Sequence, residues 1–169
     1  MVHSVELLFD ADTEGAIRQI WDGLREAGIP SQAPASRPHT TLTVAERIDP
    51  AVDDVLSALT DRFPMRCRIG APVLFGRAKV VLARLMVPTA ELLDLHAAVH
   101  RCCLPHLQPG PMPNTLPGQW TAHVTLARRV VPAQLGRALR IGGKPSEITG
   151  SVVGLRRWDG NAKREYPIS

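Results

Sequence analysis

The sequence predicts an α+β fold: a bilobal, duplicated arrangement of strand-helix-strand units whose two antiparallel-rich sheets face a central cleft. Segments that alternate like strands are interspersed with segments of helical periodicity, and neighbouring strands are close enough in sequence to form hairpins. The order strand, helix, proline-rich loop, strand, helix occurs twice. Each copy carries the same four-residue pattern, at residues 39–42 and 123–126. We therefore expect a single domain, residues 1–169, with two pseudo-symmetric lobes.

The first half begins with a strand at residues 2–9 and continues with a helix that reaches about Ala27. Asp12 or Thr13 is expected to cap this helix, and Gly28 is expected to end it. Its apolar residues recur at helical spacing, which predicts that one face is buried. These residues are Ile17, Ile20, Trp21 and Leu24.

The second half repeats this order from residue 79. A strand at residues 79–87 is followed by a helix that opens at Pro88-Thr89 and runs through Cys103. A proline-rich loop precedes each motif strand, at residues 30–38 and 108–118. The remaining predicted elements are helices opened by Pro50 and Pro132, and strands at residues 65–69, 73–76, 147–158 and 165–168.

The repeated pattern is His-x-Thr-Leu, and in both copies it lies in a segment with strand character. Residues two apart on a strand point to the same face, so each copy offers an imidazole and a hydroxyl side by side. Strict alternation turns the opposite face of the strand, which bears Leu42 and Val44 in the first copy, towards a core. The duplication favours a functional role, because packing alone gives no reason to repeat His-x-Thr in corresponding strands.

Two histidines and two threonines that face one cleft suit phosphoryl transfer. An unperturbed imidazole has a pKa of about 6.5, so near neutral pH one histidine can accept a proton while the other donates one. Threonine hydroxyls can donate hydrogen bonds to the non-bridging oxygens of a phosphate as charge develops. Acyl transfer is less well served, because no activated serine or cysteine stands in a recognisable motif.

Composition indicates the cellular compartment and the kind of partner that we expect for this chemistry. No apolar run is long enough to span a membrane or to act as a signal peptide, and Cys67, Cys102 and Cys103 form no disulfide framework. We therefore expect a cytoplasmic protein with no membrane association. The formal net charge of +4 is compatible with an anionic partner, but it is too small to establish nucleic-acid binding.

The paired motifs resemble the two-histidine phosphoesterase superfamily, in particular its 2′,5′ RNA ligase-like (LigT-like) and RNA 2′,3′-cyclic phosphodiesterase branch. Arg128 extends the second motif, so that residues 123–128 read HVTLAR, and the resemblance covers most of the chain. It implies that His39 and His123 are the catalytic acid and base. It also implies that Thr41 and Thr125 bind phosphate and that no metal or other cofactor is needed. Arg128 would add positive charge, although strict alternation places it on the face opposite His123.

By the same resemblance, the reaction is hydrolysis of a 2′,3′-cyclic phosphate end of RNA, or of a nucleotide, to a 2′-phosphate, with 2′,5′ RNA ligation as a side activity. His39 would protonate the departing 3′ oxygen, and His123 would activate the water. The implied partner is RNA or a nucleotide, and the protein is expected to be a monomer. Two alternatives stay open: a phosphodiesterase for small cyclic nucleotides or ADP-ribose cyclic phosphate, and a non-catalytic RNA- or nucleotide-binding module. A binding module needs no proton donors, so the intact motifs count against it.

Two further clusters favour structural interpretations. His96 and His100 lie four apart on a predicted helix, with Cys103 and His106 beyond, and this spacing could hold zinc. No acidic or Cys-x-x-Cys partner accompanies them, so a partly exposed helix face is the favoured interpretation. The Arg156-Arg157-Trp158 run could contact a phosphate or a base, but a solvated strand end with a half-buried tryptophan is favoured.

Overall fold

The computed structural model describes all 169 residues as a mixed fold of strands and helices. The strands are β1 (His3–Phe9), β2 (His39–Ala45), β3 (Arg47–Ile48), β4 (Met65–Phe75), β5 (Val80–Met86), β6 (Leu107–Gln108), β7 (His123–Val130), β8 (Ile148–Asp159) and β9 (Arg164–Ile168). The helices are α1 (Ala11–Glu26), α2 (Val52–Ser57), α3 (Ala90–Cys103) and α4 (Pro132–Gly142). None of the four has both the length and the apolar character needed to cross a membrane.

Helix α1 is capped by Asp10, and the predicted caps Asp12 and Thr13 are wrong. The Asp10 carboxylate accepts a hydrogen bond from the Thr13 amide at 2.9 Å, which satisfies one of the free N–H groups of the first turn. Helix α3 does begin after Thr89, whose hydroxyl accepts from the Leu92 amide at 3.1 Å. The apolar face of α1 is buried as predicted, through Ile17, Ile20, Trp21 and Leu24.

The principal sheet is antiparallel throughout, with strand order β2-β1-β8-β4-β5-β7, and β9 pairs with β8. This confirms the predicted α+β class and the antiparallel pairing. The predicted strands at 65–69 and 73–76 are one strand, β4, whose pairing with β5 shifts register between Ile69 and Pro72. Pro72 has no N–H to donate to the ladder, and it lies at that irregularity.

Strands β4 and β8 are exchanged between the two halves of the chain. They pair with each other along residues 65–69 and 148–152, and then diverge. Beyond that point β4, from the first half, pairs with β5, whereas β8, from the second half, pairs with β1. We call β1, β2, β9 and the second part of β8 the first lobe, and β5, β7 and the second part of β4 the second lobe. The two expected sheets are thus joined through β4 and β8 into one.

The sheet brings its two edge strands together, and its helices support them from the opposite half of the chain. Strands β2 and β7 end the strand order, yet they contact each other in space. Helix α1, from the first half, packs on α4 and contacts β7, and helix α3, from the second half, contacts β2. One continuous core of 34 buried residues runs through these contacts. Both motif strands are therefore held between a sheet neighbour and a helix.

Candidate active site

The motif strands β2 and β7 bear the same β-bulge at the same position of the pattern. On β2, Thr41 and Thr43 face Glu6 and Val5, which are consecutive residues of β1, so Leu42 is the extra residue. On β7, residues 125 and 127 face residues 83 and 82, which are consecutive on β5. A bulge of this kind opposes two residues to one and reverses the alternation beyond it. The backbone of the motif is therefore duplicated as well as its sequence.

The bulge corrects two predictions. The residues at the bulge are buried in both copies: Leu42 and Thr43 in one, Leu126 and Ala127 in the other. The following residue then returns to the face that bears the histidine and threonine. Arg128 accordingly lines the cleft beside His123, and Val44 lines it as well instead of facing the core.

The cleft between the motif strands has a volume of about 590 Å³. Thr41 comes from one motif, and His123, Thr125 and Arg128 come from the other. His39 is not part of this lining, but its side chain is 31 % exposed and its charge is close enough to lower the pKa of His123. The full lining is Thr41, Val44, Phe75, Val81, Asn114, Thr115, Gln119, Trp120, Thr121, His123, Thr125 and Arg128.

Both motif histidines have the same backbone partner. The Nδ1 of His39 lies 2.8 Å from the carbonyl oxygen of Arg37, and the Nδ1 of His123 lies 2.7 Å from that of Thr121. In each case the acceptor is the residue two positions before the histidine. A carbonyl oxygen can only accept, so Nδ1 carries the proton and donates it. Nε2 of each ring is then the nitrogen left for proton transfer.

Indole nitrogens hold the carbonyl groups of the two motif threonines. Trp120 Nε1 donates to the Thr41 carbonyl at 2.9 Å, and Trp21 Nε1 donates to the Thr125 carbonyl at 3.0 Å. These carbonyls lie on the free edges of β2 and β7, where no further strand pairs with them. Each tryptophan comes from the half of the chain opposite to the threonine that it holds. Sequence reasoning missed this role: the helical spacing of Trp21 predicts only a core position, and Trp120 lies in the loop before β7.

The surroundings of His123 favour the neutral imidazole. Burial lowers its pKa below the ordinary value, the hydrogen bond to Thr121 partly opposes this, and the positive charge of Arg128 lowers the pKa further. The Phe75 ring packs against it with a centroid separation of 4.7 Å. A neutral imidazole with a free Nε2 can accept a proton.

The surroundings of His39 are different, because a buried carboxylate lies next to it. Glu6 is 3 % exposed, and its Oε1 lies 3.6 Å from His39 Nε2. Arg156 donates to the other oxygen of Glu6 at 2.8 Å. Sequence reasoning missed Glu6. The available signal was a lone acidic residue in the strand His3–Phe9, whose seven residues are all buried.

The arginines at the end of β8 correct another prediction. Arg156 and Arg157 are 5 % and 3 % exposed, so this is not a solvated strand end. Arg156 pairs with Glu6 and Glu165, and Arg157 pairs with Asp53 at 2.8 Å. Only Trp158 is half-buried as expected.

The helix of the alternative zinc site is engaged elsewhere. His96 is buried, its Nε2 lies 3.1 Å from the Leu42 carbonyl oxygen, and its ring stacks on Trp120 at 4.0 Å. No group of three or more His, Cys, Asp or Glu side chains is placed to hold a metal ion. His96 therefore supports the first motif strand at its bulge.

A second pocket, of about 630 Å³, opens around His3 at the other end of β1. Three of its charged or titratable side chains, those of His3, Arg157 and Asp159, already have partners. His3 Nε2 lies 3.3 Å from Asp159, and the guanidinium of Arg157 is held by Asp53. This pocket contains no motif residue, so the smaller cleft, where the two motifs meet, is the candidate active site.

Comparisons with known proteins agree on one family. The family model described as the 2′-5′ RNA ligase superfamily matches residues 12–162. Escherichia coli LigT in complex with 3′-AMP has a similar structure, with a TM-score of 0.57 and 14 % identity over 99 % of this chain and 94 % of that one. The Thermus thermophilus protein TT0787 has a TM-score of 0.61 and 17 % identity, over 100 % and 96 % of the two chains. Kluyveromyces marxianus Usb1, solved with uridine monophosphate, has a TM-score of 0.55 and 10 % identity, over 99 % and 97 %. A sequence search of curated proteins finds no match.

Proposed function

The chain belongs to the 2′-5′ RNA ligase superfamily, and from this membership we propose that it hydrolyses the 2′,3′-cyclic phosphate at the end of an RNA to a 2′-phosphate. The superfamily supports a phosphoesterase activity on RNA or nucleotide phosphates. The observation that carries the finer proposal is the pair of bulged His-x-Thr strands, which meet at one cleft with Nε2 of each histidine free.

The proposed reaction is an in-line displacement at phosphorus. His123 Nε2 takes a proton from a water molecule, whose oxygen forms the new bond to phosphorus. The bond from phosphorus to the 3′ oxygen breaks, and protonated His39 gives its Nε2 proton to that oxygen. Thr41 and Thr125 donate to the non-bridging oxygens, and Arg128 offsets their negative charge. Ligation to a 2′,5′ linkage is the same displacement with a 5′ hydroxyl in place of water: the 5′ oxygen forms the new bond to phosphorus, and the bond to the 3′ oxygen breaks.

Charge around the cleft favours RNA over a small cyclic nucleotide. Residues 62–90 and 95–146, which supply most of the second lobe, contain no Asp or Glu. Val80 pairs with Val130, so the turn before β5 lies next to the end of β7. Four exposed basic residues follow this edge beside the cleft, and no carboxylate pairs with them: Arg77, Lys79, Arg128 and Arg129. A strand that leaves the cleft over this edge would have its phosphates neutralised. The nucleotides bound by LigT and Usb1 are consistent with a nucleotide in the cleft.

The test is a panel of 2′,3′-cyclic mononucleotides, ADP-ribose cyclic phosphate and RNA oligonucleotides with cyclic-phosphate ends, with the product identified by phosphorus NMR. We expect a 2′-phosphate product, and a kcat/KM for the oligonucleotide that falls more steeply with salt than that for the mononucleotide. Equal salt dependence and a preference for a small molecule would favour the alternative phosphodiesterase. A 3′-phosphate product would exchange the roles of the two histidines.

Substitution of either histidine tests the mechanism. H39A and H123A should each lower kcat by about 10²- to 10⁴-fold, and the double variant should lose little more, because the two groups act as a unit. H106A is the matched control, since His106 lies outside both motifs and should keep the wild-type rate. Wild-type turnover in a folded H39A or H123A protein would refute the two-histidine mechanism. Binding of RNA without turnover by the wild-type protein would favour the binding module.

A further inference from the structure

The two motifs share a backbone geometry, but they differ in charge at corresponding positions. Glu6 on β1 faces Thr41 across the ladder, and its counterpart on β5, which faces Thr125, is Ala83. One residue beyond each bulge the order is reversed, with Val44 in the first motif and Arg128 in the second. The first motif therefore has a carboxylate where the second has a methyl group, and the second has a guanidinium where the first has an isopropyl group.

The carboxylate of Glu6 is buried and held in place. Ser4 Oγ donates to its Oε1 at 2.5 Å, and Arg156 donates to its Oε2 from two nitrogens, at 2.8 and 2.7 Å. Its Oε1 lies 3.6 Å from His39 Nε2, which is longer than a hydrogen bond. No hydrogen bond therefore links Glu6 to Nε2, and the carboxylate can act on this nitrogen only through its charge.

We propose that Glu6 is a positioning residue that makes His39 the acid of the pair, because its buried carboxylate faces Nε2, the nitrogen from which the proton would be transferred. This inference rests on the proposed function and deepens it. An opposite charge within about 4–6 Å favours the charged form of a titrating group. Ala83 gives His123 no such support, and so the polarity of the reaction follows from which motif has the carboxylate.

Several other charged groups lie near His39, and Glu6 is the one that faces its Nε2. The Arg156 guanidinium lies 3.5 Å from Nδ1, the other ring nitrogen of His39, and Glu165 contacts this guanidinium at 2.5 Å. Arg37 presents its carbonyl to Nδ1, while its guanidinium pairs with Glu14 at 3.1 Å. The groups from all elements are Glu6 on β1, Arg156 on β8, Glu165 on β9, Arg37 in the loop before β2 and His123 on β7.

The test compares E6Q with E6D in two measurements. In the pH profile of kcat/KM, the alkaline limb reports loss of the proton from the acid. Removal of the carboxylate should move this limb to lower pH by about one pH unit in E6Q, while E6D, which keeps the charge, should retain the wild-type limb. The acid limb, which belongs to the base, should stay in place. An NMR titration of the His39 ring protons should move by the same amount, and it needs no enzymatic activity.

E165Q is the matched control for the loss of a carboxylate that Arg156 contacts. The alkaline limb of E165Q should move much less than that of E6Q, because Glu165 contacts Arg156 and Arg37 rather than His39 itself. Identical alkaline limbs in wild type and E6Q, with an unmoved His39 titration, would overturn the proposal. If the wild-type protein hydrolyses no cyclic phosphate, the proposed function fails, and the NMR titration still decides whether Glu6 controls His39. If E6Q is too unstable to assay, E6D and E165Q decide it: a His39 titration that keeps its wild-type position in E6D but moves by about one pH unit in E165Q refutes the special role of Glu6.

Discussion

Arg128 offers the sharpest test of the bulge, because its neighbour Arg129 is an internal control. Both residues are exposed arginines at the end of β7, yet only Arg128 lines the cleft. Arg129 has a positive φ of 57°, and it lies at a second register shift of β7, between Ala127 and Val130. Without the bulge, alternation would place Arg129 on the histidine face and Arg128 on the other. R128Q and R129Q change net charge equally, so that any difference between them reports position.

The expected magnitude follows from the contact that Arg128 can make. A hydrogen bond to a charged group contributes about 1.5–3 kcal/mol, and the exposure of Arg128 places it at the low end of this range. R128Q should therefore lower kcat/KM by roughly tenfold, and R129Q by less than about twofold. A second effect has a defined sign. Arg128 holds the pKa of His123 down, after burial, so R128Q should raise that pKa and move the acid limb of the profile to higher pH.

Steady-state kinetics on a cyclic-phosphate-ended oligonucleotide, at several pH values and at one fixed salt concentration, measure both effects. Equal losses in R128Q and R129Q would mean that the arginines act only through the general positive field. A larger loss in R129Q would mean that β7 alternates without a bulge, which would refute the assignment of Arg128 to the cleft. An acid limb that stays in place in R128Q would remove Arg128 from the control of His123.

Two further predictions concern stability. Burial raises the pKa of Asp10, but hydrogen bonds from Thr13 and Ser151 outweigh burial and hold the pKa below its ordinary value. The carboxylate therefore stabilises the fold above about pH 4, and this contribution is lost as the pH falls through the lowered pKa. D10N should lower the free energy of unfolding by about 1 kcal/mol at pH 7, and the difference from wild type should shrink at pH 3 in urea titrations; a constant difference would contradict this. Arg84 is fully buried and donates to the carbonyl oxygens of residues 70, 142, 145 and 146. R84M should therefore lower the free energy of unfolding by about 3 kcal/mol or more in the same assay. A decrease of less than about 1 kcal/mol would show that water replaces the guanidinium.

Local chemistry made the elements predictable. Helix α1 could be placed because its four apolar residues recur at helical spacing, and α3 because Thr89 follows a proline and can cap a first turn. The motif histidines could be nominated because their pattern occurs twice. The cap of α1 was misplaced by two or three residues, since Asp10, Asp12 and Thr13 can each accept from a helical amide, and the sequence does not say which of them has an extended backbone.

Long-range pairing explains what could not be predicted. Glu6 and Arg156 are 150 residues apart in the sequence, and Asp53 and Arg157 are 104 apart. Because the carboxylates that pair with these arginines lie so far away in the sequence, the Arg156-Arg157 run was predicted to be a solvated strand end. The bulges follow from the register against β1 and β5, which alternation within one strand does not contain. A weak signal was present in β7, where Leu126 and Ala127 are adjacent apolar residues in a strand that otherwise alternates.

A duplicated site needs asymmetry to work as an acid and a base. Two histidines in identical surroundings, each half protonated, would hold the productive combination of one given acid and one given base in only about a quarter of molecules. Here the backbone is repeated, since both rings donate from Nδ1 to the second residue before them and both motif strands bulge after the threonine. The charges are not repeated. The Glu6 carboxylate faces His39, whereas burial and Arg128 lower the pKa of His123, so that the two rings are not equivalent. Shared backbone geometry thus leaves Nε2 free in both rings, and the unequal charges beside them distinguish the acid from the base in the reaction that we propose.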